Sequence, residues 1–158
     1  MAPTSPSASD LLAVLTRLGA AVLLGGAVGL NRDIHNKPAG VRTHALVALG
    51  AALVTLTGWY LAASAGGDTS GVTRVIQGIT TGIGFIGGGV ILHRGDPMGV
   101  EGLTTAASIW VVAALGIACG AGYLMLALIA AGLVLTVLIL GGPLERALHR
   151  RLARDPNE

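Results

Sequence analysis

Five apolar runs, each about twenty residues long and divided by short polar connections, constrain this chain more than any other feature. They cover Leu11–Leu30, Thr43–Ala65, Val72–Leu92, Leu103–Cys119 and Tyr123–Leu140. A helix rises about 1.5 Å per residue, so each run is long enough to cross a hydrocarbon core of about 30 Å. In lipid the backbone must satisfy its own hydrogen bonds, and a helix does so within one segment. The last two runs joined would make a helix of about 57 Å, so Gly120-Ala121-Gly122 is read as a turn. The fold class expected is an all-α membrane protein of five transmembrane helices. Residues 1–10 form a flexible start, 11–142 the membrane domain and 143–158 a short basic tail. In that tail Leu144, Leu148 and Leu152 recur every four residues, the pattern of an amphipathic helix continuing past the membrane.

Charge is scarce and unevenly placed. Only 11% of residues are charged, against about 25% in a soluble domain. Arg32, Lys37, Arg42, Arg94, Arg146, Arg150, Arg151 and Arg154 fall in the first and third connections and the tail, whereas the other side holds only Arg17 and Arg74. Positive charge is retained on the cytoplasmic side, which predicts an outer N-terminus and a cytoplasmic C-terminus. Trp59, Tyr60 and Tyr123 then belong to the outer interface. A net charge of +2 placed this way orients a membrane protein and does not indicate a nucleic-acid partner. The single cysteine, Cys119, excludes an internal disulfide.

Chemistry concentrates in Asn31–His44 (NRDIHNKPAGVRTH) and its counterpart near Arg94–Gly102. The two belong to an internal repeat at an offset of 62, aligning Leu24–Leu53 with Ile86–Leu115 without gaps and pairing Arg32 with Arg94, Gly40 with Gly102 and Thr43 with Thr105. Both halves would run in the same sense, related by an axis along the membrane normal. Asp33, Asp96 and Glu101 are hard oxygen ligands, and Mg²⁺ is often held through one or two carboxylates and several waters. Asp33 is thus the metal-ligand candidate, with offsetting Arg32, Lys37 and Arg94 in a solvated loop as its other reading. The histidines have no metal-site spacing and are read as solvated loop residues.

Within the spans there is no carboxylate. Arg74, Gln77, Thr81 and Gly88 share one face of the third run, and Thr104, Thr105 and Ser108 cluster at the start of the fourth. Gln77 is the hardest of these to place in hydrocarbon, since an amide there needs a partner. Gly25/Gly29, Gly78/Gly82, Gly84/Gly88 and Gly116/Gly120 have GxxxG spacing and are expected to pack helices, with GIGFIGGG (Gly82–Gly89) also a candidate kink. No nucleophile–base pair, HExxH motif or P-loop occurs, so an enzyme is not expected.

The segments GLNRDIHNKPAGVRTHALVALGAALVTL, RVIQGITTGIGFIGGGVIL and VEGLTTAASIWVVAALGIACGAGY strongly resemble the MgtC/SapB family of bacterial inner-membrane proteins. That resemblance implies a five-helix module linked to magnesium homeostasis and low-Mg²⁺ adaptation, associated with virulence in pathogens. It further implies that Arg32, Asp33, Pro38, Gly40, Arg42, Thr43, Gln77, Gly82, Gly84, Gly88, Thr104 and Thr105 match the family pattern. Members resemble regulators acting on membrane partners, including the ATP synthase, more than carriers. Asn31 stands where an acid is usual, Glu101 where a base is usual, and the soluble C-terminal domain of longer members is not expected after the fifth helix. Two functions stay open: a regulatory module that binds membrane partners, and a passive Mg²⁺ or other ion pathway lined by Gln77 and the threonines. Either suits a homo-oligomer, because five small-residue helices leave GxxxG faces uncovered.

Overall fold

The computed structural model describes residues 8–92 and 102–152. They form five α-helices: α1 (Ala8–Ile34), α2 (Val41–Ser64), α3 (Ser70–Leu92), α4 (Leu103–Gly120) and α5 (Leu124–Leu152). All five are long and apolar enough to cross a membrane, and the chain is a multi-pass membrane protein. Asp96, Arg94, His93 and Glu101 lie outside the described residues, as do residues 1–7 and 153–158.

Each reversal has a physical cause. The last turn of α1 closes when the Lys37 amide donates to the Arg32 carbonyl (2.9 Å) and the Asn36 amide to Asp33 (3.0 Å). Asn36 takes the left-handed conformation this requires (φ 52°), one that asparagine tolerates better than most residues. The same motif ends α4, where Tyr123 bonds back to Ala118 (2.9 Å) and Gly122 supplies φ 89°. The turn expected at Gly120-Ala121-Gly122 is therefore present. The tail continues the fifth helix as expected, since α5 runs unbroken through Pro143 to Leu152. One expectation changes: the third run is not broken at its glycines, and α3 is a single helix.

α2 and α4 are the central pair. One buried cluster consists of Ala21 and Val28 of α1, Ala48 and Ala52 of α2, Val112, Leu115 and Cys119 of α4, and Ala127 and Ala131 of α5, and a second joins Ala51 of α2, Ile83 of α3, and Ile109 and Ala113 of α4. A core this rich in alanine lets helix axes approach until backbones touch, and the glycines show where. A Cβ added at Gly116 would overlap the Ala48 carbonyl oxygen, and one at Gly120 the Ala52 carbonyl oxygen. One at Gly25 would lie 2.7 Å from the His44 carbonyl oxygen, and one at Gly29 2.6 Å from the Val41 Cα. These four are packing glycines, as expected. Gly78, Gly82, Gly84 and Gly88 differ: among the described residues a Cβ at any of them meets nothing within 4 Å. The GxxxG spacing of α3 thus makes no contact with the other described helices.

A Cβ added at Gly87 would lie 3.6 Å from the Ala106 Cβ of α4, an ordinary contact that leaves room where Gly25 has none.

Arg17 has a defined job within α1. Its guanidinium donates from Nη1 to the Gly120 carbonyl (3.2 Å) at the C-terminal end of α4, where cations are favoured. Arg17→Ala is expected to lower the bundle's stability by about 1 kcal/mol, with Arg17→Lys recovering part of it, as read by thermal unfolding in detergent.

Candidate functional site

The α1–α2 connection is shorter than the polar stretch in the sequence, because Arg32 and Asp33 belong to the last turn of α1 and Arg42–His44 to the first of α2. This changes the environment of the basic residues. Arg32 is 5% exposed, not a solvated loop residue. Its Nη2 donates to Thr105 Oγ1 of α4, which is also buried, while Nε finds no hydrogen-bond partner among the described residues. This bond joins α1 to α4.

His44 is the residue that sequence reasoning misplaced. It is fully buried, not solvated, and it lies on the face of α2 that meets α4. Its Nδ1 lies 3.0 Å from the Gly40 carbonyl oxygen and its Nε2 3.1 Å from Ser108 Oγ. The Ser108 hydroxyl also donates to the Thr105 carbonyl (2.8 Å). Arg32, Thr105, Ser108 and His44 thus form one buried polar chain across α1, α4 and α2. The signal for His44 was available in the sequence. With Ala48, Ala51, Ala52 and Thr55 following at helical spacing, His44 sits on the apolar stripe of the second run.

Asp33 is exposed, and its Oδ2 accepts the Val41 amide (2.9 Å), which caps the start of α2. A Cβ at Gly40 would overlap this carboxylate, so the glycine makes room for the cap. Among the described residues no three of His, Cys, Asp or Glu come together as a metal site. Asp33 offers one carboxylate, with one oxygen already engaged, so it fits a cap better than a seat for a partly dehydrated Mg²⁺.

The remaining candidates separate. Arg42, Thr43 and Thr104 are exposed at the same end of the bundle. Thr104 lines an apolar crevice of about 290 Å³ between α4 and α5, with Val111 and Val137. Arg74 and Gln77 are exposed on the outward face of α3 with Thr81, Gly82 and Phe85, the last 86% exposed. The polar stripe expected on that helix exists, but it points away from the bundle and does not meet the Thr105–Ser108 cluster.

Asp68, in the α2–α3 connection, caps α3 by accepting the Ser70 hydroxyl (2.7 Å) and amide (2.9 Å). The hydroxyl first, then the amide, holds its carboxyl below the ordinary value of 3.8. A lowered pKa means the cap is fully formed above the ordinary carboxylate range and is lost as pH falls through the depressed value. Amide protection factors at Thr73 and Arg74, taken relative to intrinsic exchange at the same pH, should therefore fall only on strong acidification. In Asp68→Ala they should be low at every pH.

Five membrane-crossing helices, a backbone-tight α2–α4 pair and a buried arginine clamp at one end define a small polytopic module. The chain belongs to the MgtC family, whose model matches residues 18–147. It is 43% identical over 145 residues to Protein SrpB of Synechococcus elongatus, covering 84% of this chain and 76% of that one. It is 40% identical to Protein MgtC of Brucella abortus, over 87% of this chain and 55% of that one. It is also 40% identical to the Escherichia coli protein named "Putative magnesium transporter YhiD", over 80% of this chain and 58% of that one. The chain thus spans little more than half the length of the last two. No solved structure matches it.

Proposed function

We propose that this chain is a non-enzymatic regulatory module of the bacterial inner membrane, tied to magnesium homeostasis, that acts by binding other membrane-embedded helices. The observation that carries this reading is the split among its glycines. Gly25, Gly29, Gly116 and Gly120 are consumed inside the bundle, whereas Gly78, Gly82, Gly84 and Gly88 leave open space on α3 beside an exposed Gln77 amide. A small-residue face with one amide in hydrocarbon is suited to a second helix, which would both pack closely and satisfy the amide. A homo-oligomer and a partner such as the ATP synthase, which the family resemblance suggests, both meet that description. The Arg32–His44 end faces the cytoplasm in this reading, in keeping with the distribution of positive charge.

The alternative, a passive Mg²⁺ pathway, is less well supported. Within one chain the α2–α4 contact is backbone against backbone, and Gln77 faces outward, so a Gln77-lined path requires a second molecule. The test is Mg²⁺ flux into proteoliposomes alongside site-directed crosslinking at Gly82 in native membranes. The regulatory reading expects no flux above empty liposomes, and a crosslinked species that Gln77→Ala reduces. Flux above background that Gln77→Ala abolishes would replace it with the transport reading.

A further inference from the structure

We propose that His44 is a proton-binding site: uptake of one proton at Nε2 reorders the His44–Ser108–Thr105 hydrogen-bond chain and loosens Arg32 from Thr105. The argument is a count of protons. The Gly40 carbonyl can only accept, so the Nδ1 that faces it at 3.0 Å carries a hydrogen whatever the charge of the ring. In the neutral ring Nε2 is then a bare acceptor. Its neighbour, Ser108 Oγ at 3.1 Å, has a single hydroxyl proton and a second acceptor, the Thr105 carbonyl at 2.8 Å. With a neutral ring the hydroxyl serves one of the two acceptors and leaves the other without it. With a charged ring both contacts are made at once, Nε2–H to Oγ and the hydroxyl to the carbonyl, with no heavy atom moving. One proton from bulk water adds one hydrogen bond and one positive charge.

That charge is what couples the ring to Arg32. Among the described residues, the charged groups that bear on His44 are Arg32 and Asp33, both of α1. α4 brings Thr105 and Ser108, and its one titratable group, Cys119, lies near the opposite end of the helix. On α3, Arg74 lies towards the far end, where Val75 packs on Gly58 of α2. On α2 itself Arg42 is exposed. Arg32 and a protonated His44 would therefore hold adjacent groups on one turn of α4, both buried, where like charges repel more strongly than in water. Asp33 offsets part of this, but one of its oxygens is engaged at Val41. The guanidinium is the partner free to yield, since its Nε is already without a hydrogen-bond partner among the described residues.

The experiment is a pH titration of the full chain in lipid nanodiscs, with ¹⁵N-labelled histidine read by solid-state NMR. At pH 8 the His44 ring should be the Nδ1–H tautomer, and on acidification Nε2 should change from acceptor to protonated nitrogen. Ser108→Ala removes the group that accepts from the charged ring, so the midpoint should fall by about one pH unit. Arg32→Gln removes the opposing charge, so the midpoint should rise by about one unit. An Nε2–H tautomer at pH 8, or no protonation of the wild-type ring down to pH 4, would overturn the site. A wild-type ring that titrates with a midpoint unmoved by Arg32→Gln would overturn the coupling. The wild-type titration decides the first point even if a variant fails to fold.

Discussion

Gly116→Ala destabilises the bundle by about 2–3 kcal/mol, while Gly82→Ala leaves its stability unchanged or raises it slightly. By intrinsic preference alone both changes should help, since alanine is the better helix former by about 1 kcal/mol. The difference lies in what each methyl meets. At Gly116 it overlaps the Ala48 carbonyl oxygen, part of a rigid helix backbone that can yield only by moving all of α2 away from α4. At Gly82 it enters open space. Equilibrium unfolding in mixed micelles, with both variants measured against wild type, checks this. If Gly116→Ala were neutral, the α2–α4 pair would not be the tight centre of the molecule. The Gly82 variant has a second use, because a stable protein that crosslinks less well from a probe at Gly78 would assign Gly82 to a contact outside the chain.

Thr105→Val costs more stability than Arg32→Met, and the two together cost less than Thr105→Val alone. Removing the threonine hydroxyl leaves a buried guanidinium without its one polar partner among the described residues, a loss of about 3 kcal/mol. Replacing the arginine by methionine removes the charge that needed solvating and keeps much of the side-chain volume. The expected cost is about 1 kcal/mol or less. The non-additivity is the diagnostic result, and a double-mutant cycle measures it. Additive losses would mean that the Arg32–Thr105 bond does not join α1 to α4. The clamp adds little to stability when replaced as a unit. What it supplies is a bond between α1 and α4 that a change of charge at His44 would loosen.

Much of this protein was legible in its sequence for a simple reason. Lipid offers the backbone no hydrogen bonds, so five apolar runs of sufficient length dictate five helices, and the left-handed positions at Asn36 and Gly122 fall where the polar punctuation placed the turns. The family motifs were legible too, because they are strings of residues. Spacing could not say which side of a helix is covered. Gly116/Gly120 and Gly78/Gly82 carry the same signature, yet one pair is closed against α2 and the other open. That outcome depends on how each helix is rotated about its axis, which many weak contacts along α2 and α4 set together. The same rotation turned His44 inward to Ser108 and Gln77 outward. It also brought Arg32 to Thr105, 73 positions away in the chain. Length and polarity alone determined the number and limits of the spans. Only the packed bundle decided which polar side chains share a buried hydrogen-bond chain, because burial belongs to pairs of surfaces and a linear sequence records one surface at a time.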